Sequence, residues 1–277
     1  MEPPTRLRIA CTPHGKDASC YDALESGQVS LSGYELEFHR QPISVLNRAA
    51  LHGFHEVTAV SSVLYPQIAG RYAILSMGGD VCRGQGPVLV GREPNTLAEL
   101  AGRPVGVPGI PTTSWFLLRC LCPDAVPIEV PFDRIADAVA AGELEAGVLM
   151  QEELLNYPRL GLHRVVDLGA EWCQSSGLPL PVRLNVIRRD LGTATMQRIC
   201  TALRRSLRYA LDHAPEEQGT ENVAAMFADE DSAYMSDDVR MGLRMLFAQI
   251  VDLGLSPQVP DIDIVEGTAS APVRQAA

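Results

Sequence analysis

The feature that most constrains the fold is a pattern that occurs twice: a helix ends at a glycine, three residues follow, and a short apolar strand begins. The first copy occupies residues 46–62 with Gly53 as its glycine, and the second occupies residues 136–151 with Gly142. Helices that end at glycine and lead into short buried strands are typical of α/β proteins. Two such units predict an α/β chain with two lobes around a cleft, although the same pattern also occurs in ordinary βαβ units.

The remaining sequence extends this pattern along both lobes. Strands are predicted at 7–11, 34–38, 57–61, 103–107, 128–130 and 146–150, and helices at about 18–25, 44–52, 65–69, from 114, and at 133–142. Two amphipathic helices are predicted between 193 and 253, separated by an acidic stretch around 229–231. We expect residues 1–90 and 192–265 to form lobe one, residues 91–191 to form lobe two, and residues 266–277 to be a disordered tail.

Charge and hydropathy argue against several classes of protein. The formal net charge is -11 and the pI is about 5.0, which disfavours nucleic acid and anionic membranes as partners. No segment reaches the run of about 20 apolar residues that spans a membrane. The N-terminal residues lack the apolar core of a signal peptide, so we expect a cytoplasmic protein. The seven cysteines contain no CxxC pair and are expected to be reduced and mostly buried rather than to bind zinc.

Polar side chains follow the apolar strand of each repeated unit. Ser61 and Ser62 close the first strand, and Gln151 and Glu152 follow the second. Ligands of open α/β sheets bind beyond the carboxyl ends of the strands, so we expect these four residues at the cleft. Glu152 could act as a general acid or base if it is partly desolvated, whereas a solvated helix start explains it equally well.

Two threonines precede the apolar helix of the second half. Thr112 and Thr113 could cap this helix, and its free backbone N–H groups could hold a ligand anion. An ordinary N-cap is the alternative explanation.

Two loops add candidate polar groups. Asp17 and His14 lie in the loop after the first predicted strand, where Asp17 could serve as an acid, a base or a ligand anchor, or could simply occupy a turn. The glycine-rich loop 78–87 lacks the third glycine of a dinucleotide fingerprint, and Pro87 blocks a following helix. Arg83 in this loop could clamp a carboxylate, although a plain turn is the default interpretation.

Taken in order, short segments of this chain resemble the 1,4-dihydroxy-6-naphthoate synthase family, which acts in the futalosine route to menaquinone. The segments are the TPHGKD loop with Asp17 and residues 46–47, 61–65, 83–87, 107–118, 157–162, 166–169, 177–181 and 188–192. The resemblance implies a type II periplasmic-binding-protein fold with a ligand cleft between two lobes. It also implies acid–base chemistry that opens and cleaves a cyclic, carboxylated futalosine-derived substrate without hypoxanthine. No metal or organic cofactor is implied, and Thr112 and Thr113 would help to hold ligand oxygens.

Two positions depart from the family pattern. Gln151 stands where the family carries a His that acts as the base, and the loop 15–19 keeps only Asp17 of the family's Pro-Asn-Asp-Thr-Phe sequence. Glutamine cannot take a proton at physiological pH, and loss of a general base commonly costs about 10²–10⁴-fold in rate. His14 and Glu152 are the candidate replacements.

Two classes of function therefore stay open. The first is an enzyme, either the synthase itself or a paralogue that runs a related lyase reaction on another carboxylated compound. The second is a non-catalytic small-molecule-binding protein or sensor on the same fold, which Gln151 favours. An exported solute receptor fits the N-terminal sequence less well. In each case we expect a small anionic or carboxylated ligand and no nucleic-acid or membrane partner, and a homodimer is left open.

Overall fold

Two mixed β-sheets flanked by helices organise the chain. The structure is a computed structural model that describes residues 5–13, 16–94, 96–150, 153–213 and 234–267. Its strands are β1 (Thr5–Cys11), β2 (Tyr34–Arg40), β3 (Val57–Ser61), β4 (Tyr72–Leu75), β5 (Asp80–Cys82), β6 (Val88–Gly91), β7 (Pro104–Val107), β8 (Val126–Glu129), β9 (Ala146–Leu149), β10 (His163–Asp167), β11 (Leu180–Arg188) and β12 (Ile264–Val265).

The helices cover the sheets and connect their strands. They are α1 (Lys16–Glu25), α2 (Ile43–Leu51), α3 (Tyr65–Ile68), α4 (Thr113–Leu121), α5 (Ile135–Ala140), α6 (Glu153–Asn156), α7 (Leu168–Ser176), α8 (Thr193–Asp212) and α9 (Asp237–Asp252). Short 3-10 turns occupy Ser62–Leu64, Leu97–Leu100, Phe132–Arg134, Tyr157–Leu160 and Arg189–Leu191. Among the residues that the structure describes, no helix is long and apolar enough to cross a membrane.

The first sheet has seven strands in the order β12-β4-β11-β3-β1-β2, and β5 pairs with β11 beside this path. β1 lies parallel to both β2 and β3, whereas β11 runs antiparallel to β3, β4 and β5. The carboxyl ends of β1 and β3 therefore meet at one edge of the sheet, next to the beginning of β11. That edge is where ligands of open α/β sheets bind.

The second sheet has five strands in the order β10-β6-β9-β7-β8. β7 lies parallel to β8 and β9, and β6 runs antiparallel to β9 and β10. Val107, the last residue of β7, leads through a short loop into α4. This second α/β unit confirms the two-lobed α/β architecture that the repeated pattern predicts.

The repeated units fold as helix, glycine and strand. Gly53 and Gly142 both adopt positive φ angles, +69° and +80°. Each is followed by a three-residue segment that leads to β3 or β9. β3 has the predicted bounds and is buried along its whole length. The second unit differs in detail, because the predicted helix 133–142 begins as the 3-10 turn Phe132–Arg134 and continues as the shorter α5.

Other elements depart from the sequence predictions. The predicted strand 128–130 is β8, which starts earlier because Val126 pairs with Pro104 of β7. The plain-turn interpretation of loop 78–87 is wrong for Asp80–Cys82, which forms β5 and pairs with β11. At the start of the predicted tail, Glu266 Oε1 accepts a hydrogen bond from Arg240 Nη2 at 2.8 Å, and the tail itself stays a prediction. Residues 268–277 and the acidic stretch around 229–231 lie outside the described residues.

The sheets also divide the chain at places other than the expected boundaries 90 and 191. β11 falls within the range expected for lobe two but lies in the first sheet, and β6 starts inside the range expected for lobe one but lies in the second. β11 joins the first sheet because its buried even-numbered residues, from Leu180 to Val186, pack in one cluster with Leu243, Leu246 and Phe247 of α9.

One hydrophobic cluster extends over both lobes. It joins Val60 and Tyr65, next to the first sheet, to Val105 and Phe116 of the second lobe. A separate cluster packs α1 and α8 against the other face of the first sheet, with Ile9, Tyr21 and Leu203 at its centre. In the part of the chain that the structure describes, the cysteines form no disulfide, and Cys11, Cys20, Cys122 and Cys200 are buried, as the sequence predicts.

Candidate ligand-binding cleft

Ser61 ends β3 and makes two hydrogen bonds with the side-chain amide of Asn47 in α2. Asn47 Nδ2 donates to Ser61 Oγ at 3.1 Å, and the Ser61 backbone N–H donates to Asn47 Oδ1 at 3.0 Å. Both residues are buried. α2 precedes β3 in the chain and packs against it, so one helix fixes the orientation of the serine at the carboxyl end of the strand.

Ser62 follows as the first residue of a 3-10 turn. Its side chain is fully buried, and its Oγ has no hydrogen-bond partner among the described residues. A buried hydroxyl without a partner costs free energy, so such a group in a native protein calls for an explanation. A ligand oxygen that completes this hydrogen bond is the explanation that its place at the strand end favours.

The two threonines of α4 are buried and use their hydroxyls in different ways. Thr112 is the N-cap, as its hydroxyl accepts from the Trp115 backbone N–H at 3.2 Å and donates to the Gly109 carbonyl at 2.8 Å. Thr113 Oγ1 instead donates to the Val182 carbonyl at 2.6 Å, which ties α4 to β11 of the first sheet. The ordinary capping role of Thr112 is therefore present, and a ligand role would add to it.

Three contacts join the lobes beside these hydroxyls. Asn47 Nδ2 also donates to the Pro111 carbonyl at 2.7 Å, so a single amide touches both Ser61 and the loop before α4. Gly109 approaches α2 so closely that a Cβ at this position would lie 2.6 Å from Ser44 Cβ. These contacts place the end of β3 and the start of α4 on the two sides of one interlobe boundary.

The third interlobe contact is an ion pair on the surface. Arg48 of α2 contacts Glu129, the last residue of β8, with Nη1 and Oε1 3.1 Å apart. Both side chains are largely exposed, and exposed pairs of this kind contribute about 0–1 kcal/mol. The buried amide contact of Asn47 therefore matters more for the relative placement of the lobes.

Arg83 lies against α9. Its Nη1 donates to Asp238 Oδ2 at 2.6 Å and its Nη2 donates to Ser236 Oγ at 3.2 Å. The hydrogen bonds from Arg83 and Ser236 hold the pKa of Asp238 well below its usual range. These contacts anchor the glycine-rich loop to the start of α9, and a carboxylate-clamping role for Arg83 stays a prediction.

The remaining predicted site residues fall largely outside what the structure describes. Asp17 is the second residue of α1, but its side chain is outside the described set, as are the whole of His14, Gln151 and Glu152. Their proposed roles as acid, base or ligand contact stay predictions. The helix that carries Asp17 begins shortly after the carboxyl end of β1, at the same sheet edge as Ser61.

Sequence reasoning missed a charged residue at this edge. Arg183 lies directly opposite Ser61 in the antiparallel register of β11 with β3, and its side chain is only 5% exposed. Its Nη2 donates to Asp80 Oδ1 at 2.9 Å and its Nη1 donates to Thr12 Oγ1 at 3.3 Å. Burial lowers the pKa of Arg183 to about 9. The sequence offers only a weak signal, because a buried arginine between apolar residues must have a partner, but that partner is set by the strands beside it.

A second missed residue is Asn185, two positions further along β11. Its Nδ2 donates to the Gly78 carbonyl at 3.1 Å, while its buried Oδ1 has no hydrogen-bond partner among the described residues. Gly78 has a φ of +76°, and a Cβ there would lie 2.2 Å from Asn185 Nδ2. Only glycine therefore fits at position 78, at the start of the glycine-rich loop.

Together these groups place several buried polar side chains near the carboxyl end of β3 and the start of α4. Hydroxyls, amides and one guanidinium suit a ligand that carries several oxygens and a negative charge. Within the described part of the chain, no group of three or more His, Cys, Asp or Glu side chains is arranged to hold a metal ion.

Comparisons with known sequences agree on one family. A family model described as menaquinone biosynthesis matches residues 7–251. A 1,4-dihydroxy-6-naphthoate synthase from Thermus thermophilus is 44% identical over 211 residues, which are 76% of this chain and 76% of that protein. The synthase of the same name from Streptomyces coelicolor is 31% identical over 275 residues, covering 92% of this chain and 96% of that protein.

Comparisons with solved structures agree on the fold. The crystal structure of protein AF1704 from Archaeoglobus fulgidus superposes with a TM-score of 0.84 at 34% identity, covering 90% of this chain and 98% of that chain. The periplasmic aliphatic sulphonate binding protein SsuA from Escherichia coli gives a TM-score of 0.60 at 15% identity, covering 99% and 96%. The second likeness concerns the fold alone, and it confirms the predicted two-lobed, binding-protein-like architecture.

Proposed function

The chain belongs to the menaquinone-biosynthesis family as a divergent homologue of 1,4-dihydroxy-6-naphthoate synthase, and we propose that it is a lyase that releases this naphthoate. The proposed substrate is the cyclic, carboxylated futalosine-derived compound without hypoxanthine. The observation that carries the proposal is the set of buried polar groups at the interlobe boundary, where Asn47 connects Ser61 to the Pro111 carbonyl.

The described residues support a role in binding and orienting the substrate. Ser62 offers a buried hydroxyl that lacks a protein partner, and Ser61 is oriented next to it by Asn47. Thr112 and the first N–H groups of α4 face the same boundary from the other lobe, where a helix N-terminus favours a carboxylate. Holding the reacting ring between fixed groups from both lobes supplies the positioning part of catalysis.

We assign the proton transfers to residues that the sequence analysis selected. Asp17 is the candidate acid, and His14 and Glu152 are the candidate bases, because Gln151 cannot accept a proton at physiological pH. The resemblance to the family supports a reaction that needs neither a metal nor an organic cofactor. The names of the relatives, which are biosynthetic synthases, support a cytoplasmic location and a small carboxylated ligand as the partner.

Turnover of the cyclic substrate by the purified protein tests the proposal. The product is detected by mass as 1,4-dihydroxy-6-naphthoate, with heat-inactivated protein as the control. Product formation that depends on native protein is the expected result. A protein that binds the substrate without converting it would be a binding protein or sensor on this fold, and one that does neither would act on a different ligand.

A Gln151→His substitution tests whether the missing base limits the reaction. If His14 or Glu152 has replaced the family base only partly, the new imidazole raises kcat by about 10- to 1000-fold, which is part of the roughly 10²–10⁴-fold that a general base contributes. A matched Gln151→Asn variant controls for changes in side-chain size and polarity. Equal rates in the Gln151→His and wild-type proteins would mean that the base has been replaced fully.

A further inference from the structure

The ion pair between Arg183 and Asp80 lies at the sheet edge where β3 ends in Ser61, and neither residue has a role in the chemistry described so far. Both side chains are largely buried, at 5% and 16% exposure, and their closest N–O distance is 2.9 Å. A buried ion pair contributes little net stability compared with apolar residues of the same volume. Its presence at this edge of the sheet therefore calls for a reason other than folding.

The pair joins three segments that meet at the ligand edge of the first sheet. Arg183 pairs in register with Ser61 of β3 on one side and with Asp80 of β5 on the other. Its Nη1 donates to Thr12 Oγ1 at 3.3 Å, and Thr12 directly follows Cys11, the last residue of β1. The guanidinium of Arg183 thus contacts β5 and the residue that follows β1. The strand that carries it, β11, pairs with Ser61 of β3.

The exit of β1 matters because α1 follows it closely. α1 begins at Lys16 and carries Asp17 as its second residue. A rigid cation that holds Thr12 through a planar fork limits where the next few residues can run. Ser61 is fixed by backbone pairing to the same strand that carries Arg183, so the guanidinium sets the start of α1 relative to the serine.

We propose that Arg183, held by Asp80, is a positioning residue of the cleft that fixes Thr12 and thereby the placement of α1 relative to Ser61. The inference rests on the proposed function, in which Asp17 of α1 and Ser61 act on the same ligand. Arg183 acts through Thr12 and does not touch the ligand itself. A lysine at this position would keep the positive charge but lose the planar fork, and the reacting groups would be misplaced.

The first test compares two arginine-to-lysine variants of the same strand. Arg183→Lys keeps the charge but loses the fork, and we expect kcat to fall by about 10- to 100-fold with a smaller change in KM, since a shift of about 1 Å can cost 10²-fold. Arg188→Lys is the control, because Arg188 ends β11 away from the cleft and pairs with Glu56 at 2.9 Å. We expect its kcat to stay within about twofold of wild type.

The second test uses the residue through which Arg183 acts. Thr12→Val removes the hydroxyl that the guanidinium contacts, whereas Thr12→Ser keeps it and loses only a methyl group. We expect Thr12→Val to lower kcat several-fold and Thr12→Ser to recover most of that loss. This pair also decides the matter if Arg183→Lys fails to fold.

Hydrogen exchange separates the positioning role from the identity of the reaction. Amides of α1 should exchange at least several-fold faster in Arg183→Lys than in Arg188→Lys, while amides of β3 and β11 exchange equally in both. Absence of synthase turnover in the wild-type protein would overturn the proposed function but not the positioning role. The exchange comparison would still test the positioning role in that case. Equal α1 exchange in the two variants, or wild-type kcat in a folded Arg183→Lys protein, would overturn the positioning role.

Discussion

The hydroxyl of Ser62 allows ligand binding and stability to be tested separately. It is buried and has no partner among the described residues, so Ser62→Ala should leave the free energy of unfolding unchanged or raise it by about 1 kcal/mol. The same variant should weaken binding of 1,4-dihydroxy-6-naphthoate by about 5- to 30-fold, as expected for one lost hydrogen bond. Urea unfolding and titration calorimetry on the two proteins measure both quantities.

Thr113→Val is the matched control for Ser62→Ala. It leaves the Val182 carbonyl without the hydroxyl that now donates to it at 2.6 Å, so this variant should lose about 1–3 kcal/mol of unfolding free energy. A Ser62→Ala protein that is destabilised as much as Thr113→Val, with unchanged affinity for the naphthoate, would contradict a ligand role for Ser62.

His55 predicts a specific dependence of stability on pH. Burial, followed by the nearby His39 and Arg8, lowers the pKa of His55 to about 4. Its Nε2 lies 3.0 Å from His39 Nδ1, and its buried Nδ1 has no partner among the described residues. The unfolded chain binds a proton at a higher pH than the folded protein does, so stability is full above about pH 6.5 and falls as the pH drops towards 4.

This dependence is measurable by substitution. Between pH 7.5 and pH 5, the wild-type protein should lose about 2 kcal/mol more unfolding free energy than His55→Gln. The loss accumulates over about 1.5 pH units, from the unfolded-state pKa of about 6.5 down to pH 5, at about 1.4 kcal/mol per unit. The contributions of titrating groups that do not contact His55 cancel in the comparison. Equal losses in the two proteins would show that His55 is protonated as readily in the fold as in the unfolded chain.

These residues also show what the sequence could and could not predict at the site. Ser61 and Ser62 were identifiable because they follow an apolar strand, and Thr112 was identifiable because a hydroxyl precedes an apolar helix. Arg183 and Asn185 were not identified, because a polar side chain inside a strand acquires its meaning only from the strands beside it. Their partners Asp80 and Gly78 lie more than 100 residues earlier in the chain.

Gly109 shows how two elements depend on a missing side chain. Its φ is +155°, and a Cβ would lie 2.6 Å from Ser44 Cβ at the start of α2 and 3.3 Å from Thr112 Cγ2. Gly109→Ala should therefore cost about 1–3 kcal/mol through overpacking and should separate α2 from the loop before α4. We also expect it to weaken naphthoate binding, because the Asn47 contact to Pro111 lies at the same boundary.

Gly161→Ala is the control for this steric effect. Gly161 also has a positive φ, +72°, but a Cβ there would have nothing within 4 Å. Its substitution should cost only the conformational penalty of about 1 kcal/mol and leave naphthoate binding unchanged. Equal effects of the two substitutions on naphthoate binding would contradict a closely packed boundary at Gly109.

The elements themselves were predictable to different degrees. β3 has the bounds that its apolar run predicts, because a short buried strand ended by two serines is unambiguous. β5, β6 and β11 were not predicted, because β5 has only three residues and because Arg183 and Asn185 interrupt the apolar sequence of β11. Their pairing is non-local, so register and sheet membership become visible only in the folded protein.

The shared hydrophobic cluster predicts that the two lobes unfold together. Leu117 of α4 is 3% exposed and belongs to the cluster that joins both lobes. Leu117→Ala should cost about 2–5 kcal/mol. In hydrogen exchange at increasing urea, amides of β3 and of β7 should lose protection at the same, lower denaturant concentration.

The control for this variant is an exposed leucine of the second lobe. Leu160 is 42% exposed, so Leu160→Ala should change the free energy of unfolding by about 0.5 kcal/mol at most. Loss of protection in β7 at a lower urea concentration than in β3 would show two independent lobes and contradict a common core.

The molecule as a whole combines a binding-protein architecture with the sequence of a biosynthetic enzyme family. The fold explains how a ligand can be held between lobes, since β3 and α4 approach one boundary from opposite sides. The proposed function names the ligand to expect there. Gln151 distinguishes an enzyme from a binding protein, because a binding protein does not need the base that the resemblance implies for the family.

The location of the bound naphthoate tests the central claim most directly. A crystal structure of the protein with 1,4-dihydroxy-6-naphthoate, at a concentration above its measured dissociation constant, gives that location. The product is expected between the lobes, with a ligand oxygen within hydrogen-bond distance of Ser62 Oγ and its carboxylate near Thr112 at the start of α4. A naphthoate bound elsewhere, or a cleft that stays empty at saturation, would contradict the assignment of this cleft as the synthase site.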